Sequence, residues 1–153
     1  MKIAFGADHA GFHLKNHLLS FVRALGHEVE DFGTFSDVSV DYPDYAACVA
    51  RAIEVQRAER GVLVCGSGVG MSIAANRFTG VRAVLALTEA QARLARGHND
   101  ANVLCLGARL SGVVLAEDAV RAFLNTSFEG GRHAQRVAKL AGCAVPARAV
   151  PEG

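Results

Sequence analysis

The chain has 153 residues, which is the size of one ordinary domain. Apolar residues make up 51% of it and charged residues 20%, a balance that excludes a disordered chain and is typical of α/β proteins. Sixteen basic and fifteen acidic side chains give a formal charge of +1, so we predict no broad basic surface for nucleic acid. No apolar run approaches the ~20 residues that span a bilayer, and the first residues lack the apolar core of a signal peptide. We therefore expect a cytoplasmic protein with neither a membrane nor a nucleic-acid partner.

Short apolar segments alternate with amphipathic segments along the chain. The apolar segments predict five strands, over residues 3–6, 28–32, 62–65, 81–87 and 103–106. The amphipathic segments predict six helices, over about 11–25, 41–57, 71–76, 88–97, 113–125 and 132–141. This alternation predicts an α/β fold, a single three-layer α/β/α Rossmann-like domain with a five-stranded parallel sheet, over residues 1–145. We expect residues 146–153 to form a flexible C-terminal tail.

Polar side chains follow three of the predicted strands at the point where each strand ends. Asp8 and His9 follow the first strand, Cys65 ends the third, and Arg109 follows the fifth. The carboxyl ends of parallel strands meet at one edge of a sheet, and ligands bind there. We therefore expect these four side chains to lie near one another.

The third strand runs directly into a glycine-rich loop, Cys65-Gly66-Ser67-Gly68-Val69-Gly70. Glycines let backbone N–H groups approach a ligand closely, so the loop is suited to an anion or a developing oxyanion. Met71 stands where a dinucleotide-binding loop has its third glycine, and no Gly-Lys-Ser/Thr occurs, so neither nucleotide motif is present. No arginine follows the cysteine within the loop, which disfavours phosphatase chemistry. Cys65 itself remains open between a general base, a nucleophile and a buried apolar residue.

Other cysteines and histidines do not form a predicted metal or redox site. The cysteines lack the C-x-x-C spacing, and we expect three of them to be structural, namely Cys48, Cys105 and Cys143. Three histidines recur at four-residue intervals, but no adjacent Cys or acidic residue completes a zinc site around His9, His13 and His17. We expect His13 and His17 to be solvated or to serve packing.

Two further segments near the C-terminus carry candidate site residues. His98 precedes Asn99 in a predicted loop, where the ordinary interpretation is a surface turn, but a histidine there is also a natural general acid. Arg132 and Arg136 lie one turn apart at the start of the last predicted helix. Arginine side chains and a helix start both suit phosphate, although charged surface faces are common.

Together these segments resemble the ribose-5-phosphate isomerase B family, which also includes galactose- and allose-6-phosphate isomerases. The resemblance covers residues 1–142, in family order, and rests on five motifs: Gly6-Ala7-Asp8-His9-Ala10-Gly11, Asp41-Tyr42-Pro43, Cys65 to Gly70 with Ile73-Ala74-Ala75-Asn76, His98-Asn99-Asp100, and Glu129-Gly130-Gly131-Arg132-His133. It implies an aldose–ketose isomerase that works through a cis-enediolate without a metal or organic cofactor. It also implies a homodimer or a dimer of dimers with shared active sites.

The resemblance also implies a role for each candidate residue. Cys65 would be the base, and His98 with Ser67 would open the furanose ring. The enediolate would be stabilised by the backbone N–H groups of Gly66, Ser67, Gly68, Val69 and Gly70. The sugar hydroxyls would be bound by Asp8, His9 and Asn99, and the phosphate by Arg109, Arg132 and Arg136.

The chain departs from the family pattern in ways that bear on the base. One branch of the family has a glutamate base just after the glycine loop, where this chain has Met71, so Cys65 is the candidate base that remains. Ser67 replaces a common threonine and keeps its hydroxyl. The expected substrate is ribose 5-phosphate, with a six-carbon or tetrose phosphate as alternatives. Two other classes stay open, a non-catalytic phosphosugar- or nucleotide-binding module and, ranked last, a thiol redox protein.

Overall fold

The computed structural model describes residues 1–143, which form a five-stranded, all-parallel sheet. The strands are β1 (Lys2–Ala7), β2 (Glu28–Asp31), β3 (Arg60–Cys65), β4 (Ala83–Leu85) and β5 (Val103–Gly107), in the spatial order β2-β1-β3-β5-β4. The helices are α1 (Phe12–Ala24), α2 (Tyr42–Glu54), α3 (Val69–Ala75), α4 (Glu89–Asn99), α5 (Val113–Asn125) and α6 (Arg132–Gly142). A short 3₁₀ turn, His9–Gly11, precedes α1. The predicted α/β class and five-stranded parallel sheet are confirmed, and the predicted tail, residues 146–153, lies outside the described residues.

The sheet has an apolar core on each face, and helices cover both cores, so the domain has three layers. Successive side chains of a strand point to opposite faces, so Val62 and Val64 of β3 join the core under α1, α4 and α5. Leu63 and Cys65 of the same strand join the core under α2 and α3. Both faces of the central strands are therefore buried, as the continuous apolar segments predicted. In residues 1–143, no helix is long and apolar enough to cross a membrane.

Several element boundaries differ from the predicted ones for local reasons. α3 begins at Val69, two residues earlier than predicted, because Gly68 adopts a left-handed conformation with φ +78° and starts the helix there. α4 continues through Asn99 and ends at Asp100, which takes φ +48°. β4 begins two residues later than predicted, at Ala83, because the Arg82 N–H donates to the side-chain oxygen of Asn102 at 2.7 Å and not to a neighbouring strand.

A fully buried lysine ties the first helix to the edge of the sheet. Lys15 has no exposed surface, and its Nζ donates to both carboxylate oxygens of Asp31 at 2.6 Å. Asp31 also accepts the Gly33 N–H at 2.9 Å, where the chain leaves β2. A buried ammonium requires such a partner, because desolvation of an unpaired charge is costly. The ion pair thus fixes the start of the loop that leads to α2.

We expect Lys15→Met to lower the free energy of unfolding by about 1–3 kcal/mol, because the half-buried Asp31 carboxylate loses its cation. Urea unfolding followed by circular dichroism measures the change. Lys2→Met is the matched control, since Lys2 forms a more exposed pair with Glu30 at 3.0 Å, and its loss should lower the free energy of unfolding less. Equal losses in the two variants would contradict a special role for the Lys15 pair.

Candidate active site

A cavity of about 360 Å³ opens at the edge of the sheet where β1, β3 and β5 end. This volume lies within the range of small-molecule sites. The residues that line it are Asp8, His9, Ala10, Tyr42, Cys65, Gly66, Ser67, Gly70, Arg109 and Leu110. The structure therefore brings together the four strand-end side chains that the sequence placed at one edge.

Cys65 is the last residue of β3 and borders this cavity with only 5% of its surface exposed. The Gly68 N–H donates to its Sγ at 3.1 Å. A buried thiol with a backbone donor against the sulfur has the kind of partner that a thiolate requires. Cys105 differs: burial raises the pKa of its thiol, so it stays protonated, in keeping with the predicted structural role. Cys48 and Cys143 are free and exposed.

The glycine loop lies directly on the end of β5, and two glycines make this approach possible. A Cβ on Gly107 would stand 2.7 Å from the Ser67 backbone. A Cβ on Gly68 would stand 2.5 Å from the Leu85 side chain and 3.0 Å from the Leu106 backbone. Because the left-handed conformation of Gly68 also disfavours any side chain, the loop is held in one close-packed arrangement.

Tyr42 lines the cavity, although no role was predicted for it from the sequence beyond its place in the Asp41-Tyr42-Pro43 motif. It opens α2, and its ring faces Gly70, where a Cβ would be 2.7 Å from the ring. This contact comes from the packing of α2 against α3, two helices whose separation in the chain gives no periodic signal. The Asp41-Tyr42-Pro43 motif was the only available indication.

Asp8 and His9 are each fixed by a backbone contact and keep one polar atom for a ligand. Asp8 is buried, and its Oδ1 accepts the Gly11 N–H at 3.0 Å, which caps the 3₁₀ turn. Nδ1 of His9 lies 3.3 Å from both the N–H and the carbonyl oxygen of Val40. This pairing leaves Oδ2 of Asp8 and Nε2 of His9 for hydroxyl groups in the cavity.

The remaining predicted site residues form a second group that does not line the Cys65 cavity. His98 and Asn99 are the last residues of α4 rather than part of a loop, and Arg132 and Arg136 lie on the exposed face of α6. In a parallel α/β unit each helix runs back towards the opposite edge of the sheet, so the end of α4 lies far from the end of β3. The single chain therefore does not unite His98 with Cys65.

The second group has its own packed centre at the contact of α4 with α6. The His98 ring stacks on the His133 ring with their centroids 4.3 Å apart. The carboxylate of Glu129 lies 3.6 Å from Nε2 of each ring, one oxygen to each. Burial lowers the pKa of His133, and the adjacent His98 and Arg132 act in the same direction, so His133 is neutral at neutral pH. Among residues 1–143 these three side chains have the spacing that could hold a metal ion.

Comparison with known proteins gives the family. The sequence profile of the ribose/galactose isomerase family matches residues 3–140. The chain belongs to this family. Ribose-5-phosphate isomerase B of Escherichia coli K12 is 50% identical over 136 residues, which cover 89% of this chain and 91% of that protein.

Solved structures of this isomerase family have the same fold. Ribose-5-phosphate isomerase B of Clostridium thermocellum superposes with a TM-score of 0.92 at 47% identity, covering 94% of this chain and 97% of the other. The Thermotoga maritima protein gives 0.90 at 52% identity, covering 92% and 97%. The resemblance identified from the five motifs is therefore confirmed at the level of family and fold.

We expect Gly68→Ala to lower the free energy of unfolding by about 1–3 kcal/mol, because the new Cβ is strained at positive φ and overlaps the end of β5. The matched control is Gly66→Ala, whose Cβ would meet only the Arg109 side chain at an ordinary 3.5 Å. Chemical denaturation of both variants measures the difference. If Gly68→Ala were as stable as Gly66→Ala, the close-packed loop described above would be wrong.

Proposed function

We propose that this protein interconverts D-ribose 5-phosphate and D-ribulose 5-phosphate through a cis-enediolate, with Cys65 as the base. The observation that carries the proposal is the buried Cys65 thiol, held 3.1 Å from the Gly68 N–H at the wall of a sugar-sized cavity. Asp8, His9 and Arg109 offer this cavity groups that bind hydroxyls and phosphate. The names of the Escherichia coli relative and of the two solved structures support the same substrate.

The proposed chemistry moves one carbon-bound proton and needs no electron acceptor. The Cys65 thiolate takes the proton from C2 of the open-chain aldose, and the C1 carbonyl oxygen becomes the enediolate oxygen. Return of that proton to C1, with transfer of the O2 proton to O1, gives the ketose. Such a step requires a base of suitable pKa and hydrogen-bond donors placed in advance.

The glycine loop supplies those donors from its backbone. Two of its N–H groups have partners within the loop, since Gly68 donates to Cys65 Sγ and Val69 donates to Ser67 Oγ at 3.4 Å. We assign the enediolate oxygens mainly to the N–H groups of Gly66, Ser67 and Gly70. The Gly68 N–H then serves the sulfur, where it stabilises the thiolate before the proton moves.

We expect Cys65→Ala to lower kcat by about 10²–10⁴-fold, because no other group replaces the base. The readout is deuterium incorporation at C1 or C2 of the sugar phosphate in heavy water, together with turnover. Cys48→Ser, at an exposed free thiol, is the matched control and should keep wild-type exchange. Undiminished deuterium exchange in Cys65→Ala would contradict the assignment of Cys65 as the base. Substrate binding without exchange in the wild type would instead support a non-catalytic binding module.

A second copy of the chain completes the proposed site. His98, Asn99, Arg132 and Arg136 lie away from the Cys65 cavity within one chain, so we propose that a partner subunit supplies them in a homodimer. Exposed apolar side chains flank both groups, which is typical of a subunit interface. They are Val69 and Ile73 beside the cavity, and Leu94 and Leu140 on α4 and α6. In the dimer, His98 of the partner subunit would open the furanose ring with Ser67, and the arginines would bind phosphate.

Mixing two inactive variants tests the shared site. Cys65→Ala and His98→Asn, unfolded and refolded together at equal amounts, should recover about one quarter of wild-type activity. Random pairing puts half of the chains in mixed dimers, and each mixed dimer has one intact site. The control is a mixture of Cys65→Ala with Ser67→Ala. Both changes lie in the part of the site that the same subunit contributes, so no mixed dimer has an intact site, and the activity should not exceed that of the two variants alone. Absence of recovery in the first mixture would contradict a site shared between subunits.

We also propose that the enzyme acts in the cytoplasm. Its described cysteines are free thiols, and Cys65 must stay reduced to act as a base, which the reducing cytoplasm ensures.

A further inference from the structure

Three side chains with metal-ligand chemistry meet where α4 contacts α6. His98 ends α4, His133 lies in the first turn of α6, and Glu129 precedes that helix. The Glu129 carboxylate is 3.6 Å from Nε2 of His98 and 3.6 Å from Nε2 of His133. The potential ligand atoms of all three lie within 4.8 Å of one another.

The backbone around these residues is shaped to admit the carboxylate. Gly97 lies inside α4, and a Cβ there would stand 2.8 Å from Oε1 of Glu129. The Glu129 N–H donates to the Gly97 carbonyl oxygen at 3.0 Å, which holds the segment before α6 against α4. A larger residue at position 97 would move the carboxylate away from both rings.

We propose that His98, Glu129 and His133 bind a divalent transition-metal ion of the Zn²⁺ type. Two imidazole nitrogens and one carboxylate oxygen are a ligand set of zinc sites that keep a position open for water or substrate. The Glu129 carboxylate supplies one negative charge for the dication. Each imidazole Nε2 lies 3.6 Å from one oxygen of the carboxylate, close to the roughly 3.3 Å expected between ligands of tetrahedral zinc at about 2.0 Å.

His133 is a buried side chain whose Nε2 faces the Glu129 carboxylate at 3.6 Å. Only 7% of its surface is exposed, and its ring makes no hydrogen bond within residues 1–143. The ring is therefore held against the carboxylate by the packing of α6 on α4, and one ion could contact both groups.

Binding requires a limited movement of His98. The two rings are nearly parallel, 5° apart, so their in-plane lone pairs run side by side rather than converging. The His98 side chain is 38% exposed and has room to turn its Nε2 towards an ion held by Glu129 and His133. Arg132 and Arg136, at the start of α6, oppose a bound cation and weaken its affinity.

A bound ion would also inhibit turnover, a consequence that rests on the proposed function of His98. The imidazole cannot bind an ion through Nε2 and transfer a proton through the same atom. Zinc would therefore inhibit the isomerase at the concentrations at which it occupies the site.

Metal titration of the substrate-free protein tests the site itself. The protein is the full chain carrying Cys48→Ser and Cys143→Ser, because exposed thiols bind zinc. Co²⁺ is followed by its visible absorption and Zn²⁺ by calorimetry. We expect one ion per chain, bound without a thiolate charge-transfer band, and about tenfold or greater loss of affinity in Glu129→Gln and in His133→Gln. His17→Gln is the matched control, since His17 pairs with Glu117 at 2.6 Å elsewhere on the surface, and it should keep the affinity.

Three outcomes would overturn the proposal. The first is no binding at about 100 μM metal, which means a Kd weaker than on the order of 10⁻⁴ M. The second is equal affinity in Glu129→Gln and in the parent protein. The third is a thiolate charge-transfer band, which would place the ion on Cys65. Inhibition is measured separately, as the ratio of activities with and without Zn²⁺ in each variant. Binding that leaves turnover unchanged would support the metal site and contradict the proposed role of His98, so the two failures are distinguishable.

Discussion

The direction of the parallel sheet is the constraint on which the rest of this structure depends. All five strands end at one edge, and the helices α1 to α4 each carry the chain back to the other edge before the next strand. A side chain at a strand end and a side chain at a helix end are then separated by the height of the sheet, roughly 17 Å for five residues. Cys65 ends β3 and His98 lies in the last turn of α4, so no local adjustment can bring them together. A chemistry that uses both residues requires two chains.

Within the half-site that one chain does form, the position of the thiol is set by the core rather than by a loop. Cys65 continues the alternation of β3 and packs with Leu63 and Met71 on the α2 and α3 side of the sheet. The following loop is pressed onto β5 by Gly68 and Gly107. The Cys65 thiol and the backbone N–H groups of the loop therefore have fixed relative positions before any ligand binds, and such preorganisation is the main source of electrostatic stabilisation in enzymes.

Sequence periodicity predicted the order of the elements, the parallel sheet and the three strand ends that meet at the cavity, because each of these depends on local pattern and on a general rule of α/β folds. It misplaced boundaries where a single contact decides, as at β4, where the Arg82 N–H donates to the Asn102 side chain. It also missed the Lys15–Asp31 pair and the ring of Tyr42 over Gly70. These contacts join distant segments and leave no periodic trace. The grouping of His98 with Glu129 and His133 belongs to the same class.

The last helix connects these observations. His133 is the one buried residue of α6, and its stacking on His98 is one of the contacts that dock this helix on α4. The same helix carries Arg132 and Arg136 in and just after its first turn, where cations oppose the helix dipole. An anion bound by these arginines offsets that repulsion, whereas a cation bound at His133 and Glu129 adds to it. In the proposed site, phosphate bound by these arginines would therefore stabilise the first turn of α6, and a metal ion at His133 and Glu129 would compete with the substrate only through its use of His98.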